Sequence, residues 1–224
     1  MTARSTVAQS WDAEYRAGRY AGEPPVPFIE DILRAARSRR ISGGLYVGCG
    51  NGRNYVPLSE AGLNLTGVDI SAIAIQQLRE RCPQYSTRLR VGGWEAVPAE
   101  SRYALLVALQ VFQHGDRATC AGNIATAQRH LVPGGLFCLR VNAVGSQYEH
   151  PTEVVERGPD GSETVRYLAG PKEDLLIHFF SETEIDGLFA PDFAPVLPLR
   201  RAVMQRPPPS VGHWDQWEGI WSRR

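Results

Sequence analysis

Three glycines at alternate positions, Gly48, Gly50 and Gly52, follow the short run Leu45-Tyr46-Val47 and lead into a segment with helical character. Glycine lets the chain turn sharply and lets a ligand approach the backbone without meeting a Cβ. A strand that ends in such a turn and feeds a helix offers unpaired N–H groups to whatever binds there. About 20 residues further on, the strand-like run Asn64-Leu65-Thr66-Gly67-Val68 ends in Asp69, placed to accept hydrogen bonds from ribose hydroxyls. A glycine trio alone says little, but the trio, the acid and the spacing between them describe a nucleotide site. A dinucleotide fingerprint carries its third small residue one place later, where this chain has Arg53, a side chain that would obstruct close helix–strand packing. No G-x-x-x-x-G-K-[ST] loop for a triphosphate is present either.

The elements that must position these groups alternate. Phe28, Ile29, Ile32, Leu33 and Ala36 recur at helical spacing and are followed by Arg37, Arg39 and Arg40, so a helix is predicted over 28–40 and stopped by Ser42-Gly43-Gly44. Strand 45–47 delivers the glycine loop, and helix 54–61 ends at Gly62. Strand 64–69 leads to Ser71, a cap for helix 72–81, which Pro83 terminates. A third strand is expected over 87–91, then a loop over 92–98. The nearly unbroken apolar run 103–111 reads as a parallel strand covered on both faces. Helix 116–131, the turn Val132-Pro133-Gly134-Gly135 and strand 136–141 follow. This β-α-β-α alternation predicts an α/β fold with a doubly wound, mostly parallel sheet and helices on both faces.

Past residue 142 the pattern changes. Segments 153–157 and 164–168 flank the turn-rich Gly158-Pro159-Asp160-Gly161-Ser162, which predicts a β-hairpin. Ser181 can cap a helix over 182–189, with Glu184 at the capping-box position. Residues 195–199 read as a strand, Pro207-Pro208-Pro209 as a stiff bridge, and 216–221 as an alternating aromatic strand with Trp217 in the core. No repeat or linker is visible, so a single domain over 1–224 is expected. Its first 27 residues, with Trp11, Tyr15 and Tyr20, form an aromatic arm that either packs on the surface or closes over a ligand as a lid.

Composition bounds the function. Of 224 residues 43% are apolar and 21% charged, enough for a buried core. Lys plus Arg and Asp plus Glu are 24 each, so no global basic field draws the chain to nucleic acid or anionic lipid. Cys49, Cys82, Cys120 and Cys138 form no C-x-x-C pair, which argues against a zinc site and for reduced thiols. No signal-peptide core and no apolar run of the ~20 residues a membrane helix needs is found, so a cytoplasmic protein without nucleic-acid or membrane partners is expected.

Val47-Gly48-Cys49-Gly50-Asn51-Gly52 resembles the first motif of class I (Rossmann-like) S-adenosylmethionine-dependent methyltransferases, and Val68-Asp69-Ile70-Ser71 the second. Gly92-Gly93-Trp94-Glu95-Ala96-Val97-Pro98 is similar to their adenine-contacting loop, Gln110-Val111-Phe112-Gln113-His114 to the segment after the fourth strand, and Leu131-Val132-Pro133-Gly134-Gly135-Leu136 to the motif before the fifth. The resemblance spans residues 43–142 and implies a seven-stranded sheet with an antiparallel C-terminal strand. Residues 43–142 would be the cofactor-binding core, and 143–178 a hairpin insertion near the acceptor site. It implies S-adenosylmethionine as cofactor and S-adenosylhomocysteine as product. Gly48, Gly50 and Gly52 would lie beside the methionine portion, Asp69 on the ribose hydroxyls, Ile70 against the adenine face, and Gly93 and Trp94 at the adenine edge. Gln110 and Val111 would sit near the methyl group, and the faces of Tyr15 and Tyr20 would attract the sulfonium by ~0.5–2 kcal/mol. Three positions depart from the family: Tyr46 where Asp or Glu is usual, Gly93 where Asp is usual, and Ala104 where Asp is frequent.

An activated sulfonium needs an aligned nucleophile more than an elaborate catalytic group. Where the nucleophile carries a proton of high pKa, a histidine is the usual base. His114, after the fourth strand, and His178, just before a helix, are the two candidates, each with the alternative of a buried hydrogen-bonded histidine. Asn142 and Tyr148 are candidate acceptor-lining residues. The expected function is methyl transfer to O, N or S of a small molecule. The alternatives are a methyltransferase acting on a macromolecule, disfavoured by charge balance and by the lack of an N-P-P-[YF] motif, and a catalytically reduced S-adenosylmethionine-binding protein, motivated by Tyr46 and Gly93. No carboxylate cluster for a metal and no G-x-S-x-G elbow are present.

Overall fold

The computed structural model describes residues 3–206 and 211–224, with side chains from residue 7 onward. The Pro207-Pro208-Pro209 bridge lies outside the described residues. The strands form a seven-stranded sheet and a three-stranded one. The chain divides into two compact units, Met1–Val107 and Ala108–Arg224.

The first unit begins with α1 (Ala3–Arg16) and α2 (Phe28–Ser38). It continues with β1 (Gly43–Val47), α3 (Tyr55–Glu60), β2 (Asn64–Asp69), α4 (Ala72–Arg81), β3 (Leu89–Val91) and the start of β4 (Tyr103–Leu109). Helix α2 buries Phe28, Ile29, Ile32, Leu33, Ala35 and Ala36, the stripe that its spacing predicts. β1 pairs in parallel with β2, and β2 with β3. Ser71 caps α4 by accepting the Ala74 N–H at 3.1 Å. The third strand is shorter than expected, because Pro83–Arg88 coils into a 3-10 helix before Leu89. Tyr85 is buried in that turn, edge-on to Tyr55 with ring centroids 5.7 Å apart.

The second unit holds α5 (Arg117–Arg129), β5 (Leu131–Asn142), β6 (Thr152–Arg157), β7 (Glu163–Tyr167), β8 (Leu176–Phe179), α6 (Glu182–Phe189), β9 (Phe193–Gln205) and β10 (His213–Arg223). The large sheet runs β3-β2-β1-β4-β5-β10-β9, and β10 is antiparallel to both β5 and β9. The expected hairpin is present as β6 and β7, and β8 extends it to a separate antiparallel sheet ordered β6-β7-β8.

Two strands are longer than local sequence predicts. β5 starts at Leu131 rather than after the Val132-Pro133-Gly134-Gly135 turn. Gly134 keeps a left-handed φ of 79°, as a turn would have it, but the stretch is tied to the C-terminal strand: Ser222 Oγ donates to the Gly134 carbonyl at 3.3 Å, and the Arg223 guanidinium donates to the Leu131 carbonyl. β9 includes Pro195 and Pro198, tolerated because it is an edge strand and because the pairing with β10 shifts register beside Pro198. Trp217 is buried as expected, its Nε1–H donating to the Phe180 carbonyl at 2.9 Å.

Candidate functional site

In the first unit the loop after β1 is shaped by backbone. Gly48, Gly50 and Gly52 have φ of 70°, 54° and 96°, the left-handed region that side chains resist. The Gly48 and Cys49 N–H groups both donate to the Val68 carbonyl, at 2.8 and 3.1 Å, tying the loop to the end of β2. A Cβ at Gly52 would lie 2.5 Å from Leu78 Cδ1 and 2.9 Å from Val56 Cγ2, so the third glycine is required by packing as well.

Asp69 braces this loop. Its Oδ2 accepts the Gly50 N–H at 2.8 Å and its Oδ1 accepts the Ser71 N–H at 2.9 Å. Each carboxylate oxygen retains a lone pair, so two hydroxyl donors can still be accepted. Burial raises the Asp69 pKa to about 6, the Asp12 charge adds to the rise, and the Ser71 and Gly50 N–H bonds oppose it. Ile70, next to Asp69, is 37% exposed and Val91, at the end of β3, is 46% exposed. These are large apolar groups at strand ends, of the kind a flat ring would cover. The carboxylate with spare lone pairs, the Cβ-free loop and the apolar strand ends fit an adenosine-bearing cofactor.

The loop after β3 carries Gly93 and Trp94, the residues expected at the adenine edge. Gly92 N–H donates to the Asp69 carbonyl at 2.8 Å, and Trp94, half-buried, opens a short 3-10 turn, Trp94–Ala96. The carboxylate expected at position 93 is missing, but one is present: Glu95 folds back so that its Oε1 accepts the Gly93 N–H at 2.9 Å. Its Oε2 lies 3.0 Å from where a Cβ on Gly93 would stand. Tyr46, the other departure, is a core group, 2% exposed and edge-on to Tyr55 at 6.2 Å.

The N-terminal arm reaches α4 and the glycine loop. Asp12 Oδ1 accepts the Ser71 hydroxyl at 2.6 Å and the Ile73 N–H at 3.1 Å, so α1 supplies a second cap to α4. Gln77 Nε2 donates to the Tyr15 carbonyl at 3.0 Å. The Tyr15 hydroxyl packs on Gly50 where a Cβ would collide with it. Tyr20 lies 5.4 Å and Trp11 6.4 Å from the Tyr15 ring, centroid to centroid. Burial raises both phenol pKa values, that of Tyr20 to about 12, so neither ionises at neutral pH. Asp12 and Glu95 were not among the residues singled out from sequence. Glu95 had a signal, an acid two places beyond the expected one, whereas Asp12 had none without the α1–α4 register.

In the second unit Gln110 closes β4 with φ 58°, uncommon for a residue with a side chain, and its N–H donates to the Arg140 carbonyl at 2.7 Å. Val111 follows, half-buried. The two candidate histidines are brought onto neighbouring segments: His178 N–H donates to the Gln113 carbonyl at 2.9 Å, and His114 bridges Ile177. The His114 ring sits 3.1 Å from the Gln110 carbonyl, which accepts only, so Nε2 carries the proton. Burial, helped by the Lys172 charge, pushes its pKa down to about 3. His178 is 1% exposed, with Nδ1 2.9 Å from Thr164 Oγ1 and Nε2 2.9 Å from Glu184 Oε2. Ser181 caps α6 as expected, but the Glu184 carboxylate does not return to complete a capping box. It bonds His178 and the Arg117 guanidinium instead, the latter at 2.8 Å. Asn142 N–H donates to Gln113 Oε1 at 2.8 Å, and Tyr148 hydroxyl is taken by Glu163.

Among the described residues no group of three His, Cys, Asp or Glu could hold a metal, and no helix is long and apolar enough to cross a membrane.

Residues 45–135 match a family model described as a methyltransferase domain. No curated protein matches the chain significantly. Among solved structures it is similar to 1,6-didemethyltoxoflavin-N1-methyltransferase of Burkholderia thailandensis, solved with 1,6-didemethyltoxoflavin and S-adenosylhomocysteine, at TM-score 0.66 and 20% identity over 100% of this chain and 92% of that one. It is also similar to an S-adenosylmethionine-dependent methyltransferase of Methanosarcina mazei, at TM-score 0.64 and 18% identity over 90% and 99% of the two chains. The magnesium protoporphyrin IX methyltransferase of Synechocystis PCC 6803, solved with S-adenosylmethionine, gives TM-score 0.64 and 12% identity over 100% and 98%. At these identities the likeness speaks for the fold.

Proposed function

We propose that this chain is a class I S-adenosylmethionine-dependent methyltransferase and carries the methyl group to an O, N or S atom of a small molecule. The observation that carries this reading is the Asp69 carboxylate, which fixes the glycine loop through Gly50 and keeps two lone pairs for hydroxyl donors. Bound S-adenosylmethionine supplies a methyl group already activated on a sulfonium.

The chain's own residues then have to bind, orient and exclude water. Asp69 takes the ribose hydroxyls, while Ile70 and Val91 cover the adenine face. Gly93, Trp94 and Glu95 border its edge. Gly48, Gly50 and Gly52 line the methionine portion, and Tyr15, backed by Tyr20, closes over the loop from α1 as a lid. Gln110 and Val111 keep the role that the family resemblance gives them.

We assign neither histidine a proton-abstracting role. His114, with a pKa of about 3, is too weak a base to take a proton from a hydroxyl or ammonium. Its imidazole stays neutral and holds the Gln110 backbone. His178 has both ring nitrogens engaged, and fastens β7 and β8 to the start of α6. Transfer then rests on alignment of the nucleophile. A small acceptor is supported by the balanced charge of the chain and by structural neighbours named as methyltransferases of 1,6-didemethyltoxoflavin and of magnesium protoporphyrin IX. The four buried free thiols suit a reducing compartment such as the cytoplasm.

Calorimetry with S-adenosylmethionine tests the cofactor reading: saturable binding is expected, weakened ~10–100-fold in Asp69→Ala by loss of charged hydrogen bonds. Incubation of a cell extract with methyl-labelled S-adenosylmethionine tests the acceptor class. Label in the low-molecular-weight fraction supports a small molecule, and label confined to protein or nucleic acid overturns it.

A further inference from the structure

At the amino ends of β1, β2 and β4, the first unit has an open cavity of about 550 Å³ lined by Arg39, Arg40, Ser42, Asn64, Arg102 and Tyr103 together with neighbouring backbone. The glycine loop is at the other end of the same strands. Five-residue β1 separates the two edges by ~13 Å. Among the described residues no carboxylate lines the cavity, and all three lining arginines are exposed. A fourth, Arg88, is tied to the lining by a 2.5 Å hydrogen bond from its Nη1 to Asn64 Oδ1, its guanidinium lying over the Tyr85 ring. In a chain whose charges balance overall, this is a local concentration of guanidinium groups drawn from three separate segments.

Arg40 is the informative residue. It follows α2 with φ 56°, and the Ile41 N–H donates to the Ala36 carbonyl at 2.9 Å while the Arg40 N–H donates to the Arg37 carbonyl at 3.0 Å. This is a helix stop whose left-handed position normally takes glycine. An arginine is held there instead, and among the described residues its guanidinium makes no hydrogen bond or ion pair. Arg102 donates to the Ala99 and Ser101 carbonyls through Nη1 alone, at 2.9 and 3.0 Å, leaving the rest of its fork for a ligand. The preference for cations at a helix C-terminus accounts for Arg37 and Arg39. It does not account for Arg88 and Arg102, which come from other segments, or for an arginine in a glycine conformation. The floor carries little side chain: a Cβ at Gly43 would lie 2.6 Å from the Asn64 carbonyl oxygen, and one at Gly44 would run into the Leu105 carbonyl.

We propose that this cavity binds a phosphate-bearing small molecule, separately from the methyl donor. Guanidinium forks match phosphate oxygens in pairs. The volume is that of a small-molecule site, and the half-buried Tyr103 ring offers a wall for an organic portion.

Calorimetry on the full chain at low salt, with inorganic pyrophosphate and separately with ADP, tests it. Saturable binding is expected, weakened at least ~10-fold by Arg40→Gly and by Arg102→Glu and reduced by added salt, with S-adenosylmethionine affinity unchanged in both variants. Arg40→Gly relieves the left-handed position, so it should fold at least as stably as the parent and its loss of binding would not reflect damage. Tighter binding of ADP than of pyrophosphate would mark the ligand as a nucleotide, and equal binding as a simple polyphosphate. No saturable binding of either probe, binding that both variants leave intact, or ADP displaced by S-adenosylmethionine would overturn the proposal. None of these results would bear on methyl transfer.

Discussion

The Glu95 carboxylate accepts the Gly93 N–H at 2.9 Å, and so stands beside the position where the methyltransferases that the sequence resembles usually carry aspartate. Glutamate from two residues downstream reaches back over a loop whose residue 93 has no side chain. Gly93 has φ −96°, so the backbone there does not exclude an aspartate. Glu95→Ala is therefore expected to weaken S-adenosylmethionine binding by ~1.5–3 kcal/mol, the worth of a charged hydrogen bond. The double variant Gly93→Asp with Glu95→Ala should recover most of it. Calorimetry on the three proteins checks this, and an unchanged affinity in Glu95→Ala would remove Glu95 from the adenine edge.

Asp69 gives the candidate cofactor site an expected pH dependence whose sign follows from burial. Its folded pKa of about 6 lies above its ordinary value of 3.8. Between those values the folded chain keeps a proton that the unfolded chain has released, so this group's contribution to stability falls as pH rises through that window and is level outside it. A shift of that size corresponds to ~3 kcal/mol. Urea unfolding across the acidic and neutral range should show this slope in the parent and lose it in Asp69→Asn. Cofactor affinity should run the other way, dropping about tenfold per pH unit below pH 6, because a protonated carboxyl accepts ribose hydroxyls poorly.

What was legible in the sequence was local. Strand Asn64–Asp69, helix Ala72–Arg81 with its Ser71 cap, and helix Glu182–Phe189 with its Ser181 cap have the bounds that their residues predict. Each is punctuated by its own capping hydroxyl, proline or acid. What was not legible depends on distant partners. The turn signal in Val132-Pro133-Gly134-Gly135 is realised only in part: Gly134 keeps a left-handed φ of 79°, yet the stretch begins β5 and is bonded to Ser222 and Arg223, nearly ninety residues later. Glu184 satisfies the capping-box pattern, yet its carboxylate is drawn away by His178 and Arg117. Asp12 gains its meaning only when α1 lies against α4. The glycine loop and Asp69 were readable because motif spacing encodes them, whereas the arm that meets them has no motif.

One carboxylate on that arm reaches across to α4. Asp12 caps α4 through Ser71 and Ile73, and the same docking sets Tyr15 against Gly50. Asp12→Ala should lower stability by ~1 kcal/mol, the worth of a helix cap. The larger effect is expected in local opening. Trypsin should cut faster after Arg16 and Arg19, S-adenosylmethionine should slow that cut, and cofactor affinity should fall in the variant. Limited proteolysis with and without cofactor checks all three. Equal cleavage rates in parent and variant would show that α1 is held by its aromatic packing.

A buried ion pair joins the C-terminal strand to β5, and it predicts an asymmetric response to mutation. Glu218 on β10 faces Arg140 on β5, Nε to Oε1 2.9 Å, with side chains only 5% and 2% exposed. Its second oxygen holds Arg200 of β9 at 2.9 Å, but that side chain is 43% exposed. Glu218→Ala takes the counter-charge from a guanidinium that cannot reach water, and should cost ~3–5 kcal/mol. Arg200→Ala breaks a bond to a partner that keeps Arg140, and removes a group that water already solvates, so a loss of under ~1 kcal/mol is expected. Urea unfolding of the two single variants and of Arg140→Met with Glu218→Leu tests the assignment. The apolar pair should be more stable than Glu218→Ala alone, because it removes the buried charge instead of stranding it. If Glu218→Ala and Arg200→Ala cost the same, the strength of the β5–β10–β9 junction lies in its backbone ladder and in the Trp221 ring stacked on Phe189 at 3.9 Å, and the ion pair contributes little.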